Sequence, residues 1–286
     1  MITLQCTTSG MAGFYGLWLG AAGEALASGT NGLLIRSIDD GTSWAQISLD
    51  RKRWSLGGVA RLPSGELLVA CGGGRIATSE DDGTNWVVKQ LRHKDPMHQI
   101  SATSSLVIVC GCNRVAWRTT GSDDWQESSL PRGVWTRGVC IDAKGDGFVT
   151  SSNGRLFRLD AGAAHLDLIA SWRVQALHAP MFDGDTIVVA GAAGFTAHSR
   201  DAGATWTTPE PSTSKSLTGG TLMGSTLVVG TTDGGVLLSK DLGASWVTEA
   251  ASGTGPARVH RLVANPAGLC LVVSEEGVFQ ARLPAV

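Results

Sequence analysis

The chain has 286 residues, and its 23 basic and 25 acidic side chains leave a formal net charge of −2, which by itself implies no polyanionic partner. No run approaches the roughly 18 apolar residues of a membrane span, and the start, MITLQCTTSG, lacks a basic segment followed by an apolar one, so neither a membrane helix nor a signal peptide is expected. Glycine is abundant at 38 residues, there is one Tyr, and no window shows sustained helical periodicity, which points to an all-β chain of short strands and tight turns.

In chain order, apolar strands near 14–21, 25–30 and 33–38 lead into the octapeptide SIDDGTSW at 37–44, and a fourth strand follows at 44–48. The same order returns with strands near 57–62, 67–71, 75–79 and 86–90 around SEDDGTNW at 79–86. Two altered copies come next, RTTGSDDW at 118–125 and RLDAGAAH at 158–165, with inner strands near 99–103 and 138–141. Full copies return as SRDAGATW at 199–206 and SKDLGASW at 239–246, in units beginning near Val174 and Leu217. A last unit begins near Val259, and its GVFQA aligns with GVLLS at 235–239 before the chain stops. Corresponding positions recur every 39 to 42 residues, seven times, which accounts for 1–286 as a single domain.

Each S-x-D-x-G-x-x-W copy lies between apolar runs and reads as a hairpin turn. Asp39, Asp81, Asp201 and Asp241 are expected to accept backbone N–H groups across the turn. Gly41, Gly83, Gly203 and Gly243 are expected to supply positive φ. Trp44, Trp86, Trp206 and Trp246 are expected to pack over their own hairpins. The pattern resembles the Asp-box, or BNR, repeat of β-propellers. Four-stranded propeller blades have about this period, so the expected fold is a seven-bladed β-propeller of four-stranded antiparallel blades. The seventh unit lacks residues for an outer strand, and residues 1–7 are expected to supply it, closing the ring. The Gly- and Ala-rich inner strands suit a crowded ring centre.

With the Asp-boxes at the turns between third and fourth strands, the opposite face receives 14 of the 23 basic residues. Aromatic residues are interleaved with them: Phe14, Tyr15, Trp54, Trp135 and Trp172. The partner-binding surface is therefore expected around Arg53, Trp54, Arg92, His98, Trp135, Arg137, Trp172, Arg173, Arg258 and Arg261. An acidic protein surface or an anionic glycan would suit it, and nucleic acid remains open. Some of these cations are alternatively expected to fill the channel or to pair with Asp50, Asp95 or Asp233. The acids there, with Glu275 and Glu276, form no evident catalytic pair. No cofactor or metal site is expected. Cys71, Cys110 and Cys270 lie in apolar runs as small buried hydrophobes, and Cys110 and Cys112 are too closely spaced for a zinc knuckle.

Among Asp-box proteins, sialidases carry an F/Y-R-I-P element and a late catalytic Tyr. Neither is present, the one Tyr being Tyr15. Xyloglucanase-type glycosidases place catalytic acids between two propellers, and this chain accounts for one. The chain more closely resembles single-domain, seven-bladed propellers of the photosystem II assembly factor-like, bacterial and phage BNR-repeat type, without that factor's lumenal targeting segment. The resemblance implies a non-enzymatic binding scaffold. An Arg-rich, Lys-poor chain without a secretion signal fits a phage tail component, cytoplasmic as synthesised and then built into a virion. Carbohydrate binding or glycoside chemistry on the same face is the alternative.

Overall fold

The computed structural model describes residues 4–8, 11, 13–20, 22–49, 54–160, 165–178, 180–249 and 256–283. Seven antiparallel sheets form the blades of a β-propeller, and in each the strands are paired in order from the innermost outward. The innermost strands are Phe14–Leu19, Leu56–Arg61, Gln99–Ala102, Thr136–Ile141, Met181–Asp183, Leu217–Met223 and Arg261–Ala264. All the blades but the fifth carry four regular strands. In the fifth, the outer position is held by a bridge between His198 and Thr207, just before Pro209 and Pro211. Proline lacks the N–H that a ladder needs, so the strand goes no further.

Among the described residues the hydrophobic core divides into seven slabs, one in each interface between neighbouring blades. The slab between blades one and two, for example, joins Leu26 and Leu34 to Leu56, Leu67 and Val69. A fully buried Leu, Ile, Val or Phe contributes roughly 1.5–3 kcal/mol, so the stabilisation lies between sheets, and no blade can hold its apolar faces out of water alone. Cys71, Cys110, Cys140 and Cys270 are buried, and burial raises the pKa of each thiol.

Close backbone contact explains the small residues of the inner strands. A Cβ on Gly16 would fall 2.1 Å from the Gly57 carbonyl oxygen, and one on Gly57 would fall 2.6 Å from the Met97 carbonyl oxygen. Ser28 Oγ also donates to the Gly57 carbonyl, across the interface between blades one and two.

The ring closes by mixing the two ends of the described chain. Gln5–Cys6 pairs antiparallel with Val278–Arg282, Gln5 opposite Gln280 and Cys6 opposite Phe279. The Val278 N–H donates to Thr8 Oγ1 at 2.8 Å, and Leu4 is buried in the slab between blades six and seven. Residues 1–3, also assigned to this closure by the sequence, lie outside the described residues.

The four full octapeptides share one turn. Ser37 Oγ donates to Asp39 Oδ1 at 2.8 Å and accepts the Gly41 N–H at 2.8 Å. Asp39 accepts the Ser43 N–H at 2.9 Å and the Ser43 hydroxyl at 2.6 Å. Asp81, Asp201 and Asp241 repeat this with Asn85, Thr205 and Ser245. Two successive residues take positive φ, so the Gly is preceded by Asp40, Asp82, Ala202 or Leu242 in the left-handed region.

Trp44, Trp86 and Trp206 lie over their own turns, each Nε1 donating to the carbonyl of the octapeptide Gly at 3.0 Å, and the four tryptophans reach further than their own hairpins. Each packs into the slab shared with the preceding blade: Trp44 against blade seven, Trp86 against blade one, Trp206 against blade four and Trp246 against blade five. Trp86 Nε1 also donates to the Ser48 carbonyl of blade one at 3.0 Å. In the altered third unit Trp125 still fills the slab toward blade two, beneath Arg118. Arg118, in the serine position, donates to the Ser122 carbonyl at 2.8 Å and pairs with Glu66 at 2.7 Å.

Candidate functional site

Strand order fixes two faces. The turns between third and fourth strands carry the octapeptides on one of them, and the inter-blade loops with the turns between second and third strands make up the other.

On the octapeptide face five cations are neutralised in place, while Arg200 and Lys240, within octapeptides, are exposed and form no ion pair with another described residue. Arg36 pairs with Glu24 at 2.7 Å, Arg61 with Asp82 at 2.7 Å, Arg158 with Asp146 at 2.6 Å, Lys144 with Asp185 at 2.7 Å and Arg282 with Asp40 at 2.9 Å. Asp142 is tied into its own turn by the N–H groups of Lys144 and Asp146, each at 2.9 Å.

The inter-blade loop face is different. Arg114 pairs with Asp95 at 3.3 Å and Lys215 with Asp233 at 2.9 Å, as the alternative expectation had it. Arg92, Arg137, Arg173 and Arg258 are exposed and form no ion pair with another described residue. The backbone N–H of Arg92 donates to Glu127 at 2.8 Å, and the residue is exposed. Arg53 and Asp50 lie outside the described residues.

The aromatic residues assigned to this face part company. Trp135 stands 53% exposed, beside Arg137 in sequence. Trp54 is half-buried beneath the Arg75 guanidinium, which lies 5.0 Å from its ring centroid. Trp172 packs edge-on against Trp206 at 5.1 Å and tilts against Phe195, within the slab between blades four and five. Phe14 is wholly buried in the slab between blades seven and one, so it is not a surface group. Of the aromatic residues that the sequence interleaves with the basic loops, Trp135 and Tyr15 therefore front solvent or cavity.

At the channel mouth on this face lies a cavity of about 500 Å³, lined among others by Tyr15, Met97, His98, Arg137 and His260. Tyr15 meets His260 edge-on, with ring centroids 5.2 Å apart. Half-buried His178, near the same arginines, has its pKa pushed down to about 4, first by burial and then by the charges of Arg137 and Arg258. His98 is also lowered, first by desolvation of its ring and then by Arg137, although the residue as a whole is exposed. These histidines are neutral at pH 7, so Arg137 and Arg258 supply the positive charge. Sequence reasoning missed the pair of Tyr15 and His260, because only the ring brings positions 15 and 260 together.

The remaining assigned residue, Arg261, lies deeper. It is half-buried in the channel and lines a second cavity of about 180 Å³ with Ser101, Cys140 and Thr221. Among the described residues no group of three or more His, Cys, Asp or Glu could hold a metal ion. No helix of the described residues is long and apolar enough to cross a membrane.

No protein-family model matches the chain, and no curated protein matches it. Solved structures do. The chain superposes on YCF48 from Cyanidioschyzon merolae with a TM-score of 0.78 at 14% identity, covering 99% of each chain. Its fold is similar to that of YCF48. A structure of YCF48 bound to D1 peptide gives a TM-score of 0.76 at 15% identity, covering 99% of this chain and 94% of that one. A chain of the mitotic checkpoint complex gives 0.80 at 8% identity, covering 99% and 91%. At such identities the likeness is one of fold, and propellers carry many functions.

Proposed function

We propose that the protein is a non-enzymatic binding or assembly scaffold that docks an acidic peptide segment of a partner protein on the inter-blade loop face. The observation that carries this reading is a 500 Å³ cavity lined by Arg137 and by His260, on which Arg258 acts, on a face where Arg92, Arg137, Arg173 and Arg258 have no ion pair with another described residue and Trp135 is exposed. Arginines that already have carboxylate partners, such as Arg61 and Arg158, offer little to a ligand. Unpaired ones offer planar, bidentate donors to carboxylates, and an exposed Trp is a common anchor of interfaces. The likeness to YCF48, a structure of which is bound to D1 peptide, is consistent with a peptide as the ligand. Absence of chemistry is consistent with the acids of this face. Among the described acids, Asp95 and Asp233 pair with cations, Glu276 accepts from Ser274 at 2.6 Å, and Glu275 approaches His260 at 3.7 Å, which favours binding over hydrolysis. We also assign the four full octapeptides to the Asp-box type, on their shared Ser–Asp–Gly turn.

The test is fluorescence anisotropy with a labelled, glutamate-rich peptide across a salt series, on the native protein and on Arg137→Glu/Arg258→Glu. Binding that weakens with salt, and at least about tenfold in the double variant at unchanged melting temperature, supports the reading. Equal binding by both proteins overturns it. A glycan array probed in parallel addresses the second reading, favoured by the Trp135 platform, in which a sugar polymer stacks on this face.

A further inference from the structure

Arg261 starts the innermost strand of blade seven, and blades three and four lie across the ring from it. Arg261 shares the lining of the smaller cavity with Ser101 of blade three and Cys140 of blade four, so it faces the channel, and the titratable groups acting on its guanidinium are the thiols of Cys110 and Cys140. Cys110 also lines the cavity at the mouth, and Cys140 lines the smaller one. Arg261 itself lines the smaller one. No described carboxylate acts on its guanidinium, which forms no hydrogen bond or ion pair with another described residue. The thiols cannot balance its charge, since burial raises both pKa values and holds them neutral. Arginine keeps its proton at any ordinary pH. A half-buried guanidinium without a counter-charge is costly, and an arriving anion relieves that cost.

We propose that Arg261 anchors a carboxylate-binding site inside the channel, taking a carboxylate on a slender stem, either a small dicarboxylic acid or the free end of a peptide. Guanidinium geometry matches a carboxylate through two parallel hydrogen bonds. The volume behind it, about 180 Å³, equals on the order of six waters at roughly 30 Å³ each, enough for the group and a short stem but not for a folded segment. Ser101 and Thr221 add hydroxyls to the lining, while Phe182 and Gly220 keep the rest of the wall apolar or bare. This site stands apart from docking on the outer face, which uses Arg137 and Arg258.

Thermal shift and calorimetry with two matched pairs of probes test it: succinate against succinamide, and a short glycine-rich peptide with a free C-terminal carboxylate against its amidated form. The native protein is expected to rise by about 5 °C at a hundredfold excess over Kd with at least one carboxylate probe and not with its amide. Succinate alone acting identifies a small acid as the source, and the free-ended peptide alone acting identifies a chain end. The shift should vanish in Arg261→Gln and persist in part in Arg261→Lys. No shift with either carboxylate, or equal shifts with acid and amide, overturns the site. Those comparisons use native protein and decide the matter even if Arg261→Gln fails to fold. Carboxylate binding that survives Arg261→Gln but is lost in Arg137→Glu also overturns it, while leaving the docking face standing.

Discussion

The indole Nε1 of Trp44 donates to Thr7 Oγ1 at 3.0 Å, and to the Gly41 carbonyl at the same distance. One side chain thus joins a turn of blade one to the strand that completes blade seven. Trp246, the equivalent residue in blade six, has a buried Nε1 with no hydrogen-bond partner among the described residues. Trp44→Phe is therefore expected to cost about 1 kcal/mol more than Trp246→Phe, which removes a donor that bonds nothing. Urea unfolding of the two variants measures the difference. Equal losses would mean that the tryptophans act through bulk alone.

The turn carboxylates set an acid limit. Asp39 and Asp201 are lowered from 3.8 to about 2, chiefly by the hydroxyls of Ser43 and Thr205 and the N–H groups of the same residues. A carboxylate with a depressed folded pKa stabilises the fold above its unfolded value and loses that contribution as pH falls through the folded one. The melting temperature should therefore decline between pH 3.8 and about 2. Asp39→Asn should melt lower than native protein at neutral pH, and the gap should close across that window. A gap of constant size down to pH 2 would assign the loss to the amide's geometry.

Ala202 holds φ at 55°, with Gly203 following at 92°. The left-handed region costs an L-residue roughly 1–2 kcal/mol. Glycine escapes that cost but has a more flexible unfolded chain, so Ala202→Gly should stabilise by a net few tenths to about 1 kcal/mol. Leu242 shares the conformation at 56°, but its side chain is buried in the slab between blades five and six. Leu242→Gly should destabilise by about 2 kcal/mol or more, the lost burial outweighing the relieved strain. Thermal melts of the pair test whether conformation or packing governs each site.

Gly16→Ala places a methyl group 2.1 Å from the Gly57 carbonyl oxygen, and backbone cannot move aside as a flexible side chain can. A loss of at least about 3 kcal/mol is expected, at the upper end for overpacking. Gly224→Ala is the control, because a Cβ there meets nothing within 4 Å; its φ of 59° should cost about 1 kcal/mol. Chemical denaturation ranks them, and the reverse order would exclude inter-blade crowding as the reason for glycine at position 16.

What could be read from sequence was local. Ser37, Asp39, Gly41 and Ser43 meet within one turn, so their spacing carries the geometry, and repetition about every 40 residues carries the blade count. What escaped depends on the ring. Trp44 turns toward blade seven because the gap between sheets is where apolar surface is buried. Trp172 reads as a surface aromatic amid arginines, yet Phe195 and Trp206 arrive beside it from blade five. Arg261 and Arg258 look alike in the sequence, and only the position of the channel separates a lumenal guanidinium from an exposed one.

The bond between Thr8 and Val278 spans 270 residues. At a synthesis rate of about 5–20 residues per second, the first strand waits on the order of 15 to 50 seconds for its partner to be made. Until then the seventh blade's outer position is vacant, and the slab between blades seven and one has only one wall. Blades one to six can stack as they emerge, since each meets its neighbour in sequence, but the nascent arc ends in two sticky edges. Its chief hazard is joining another unfinished arc edge to edge before it meets its own end. Moving residues 1–8 behind residue 283 would make the last blade contiguous in the chain and remove that interval.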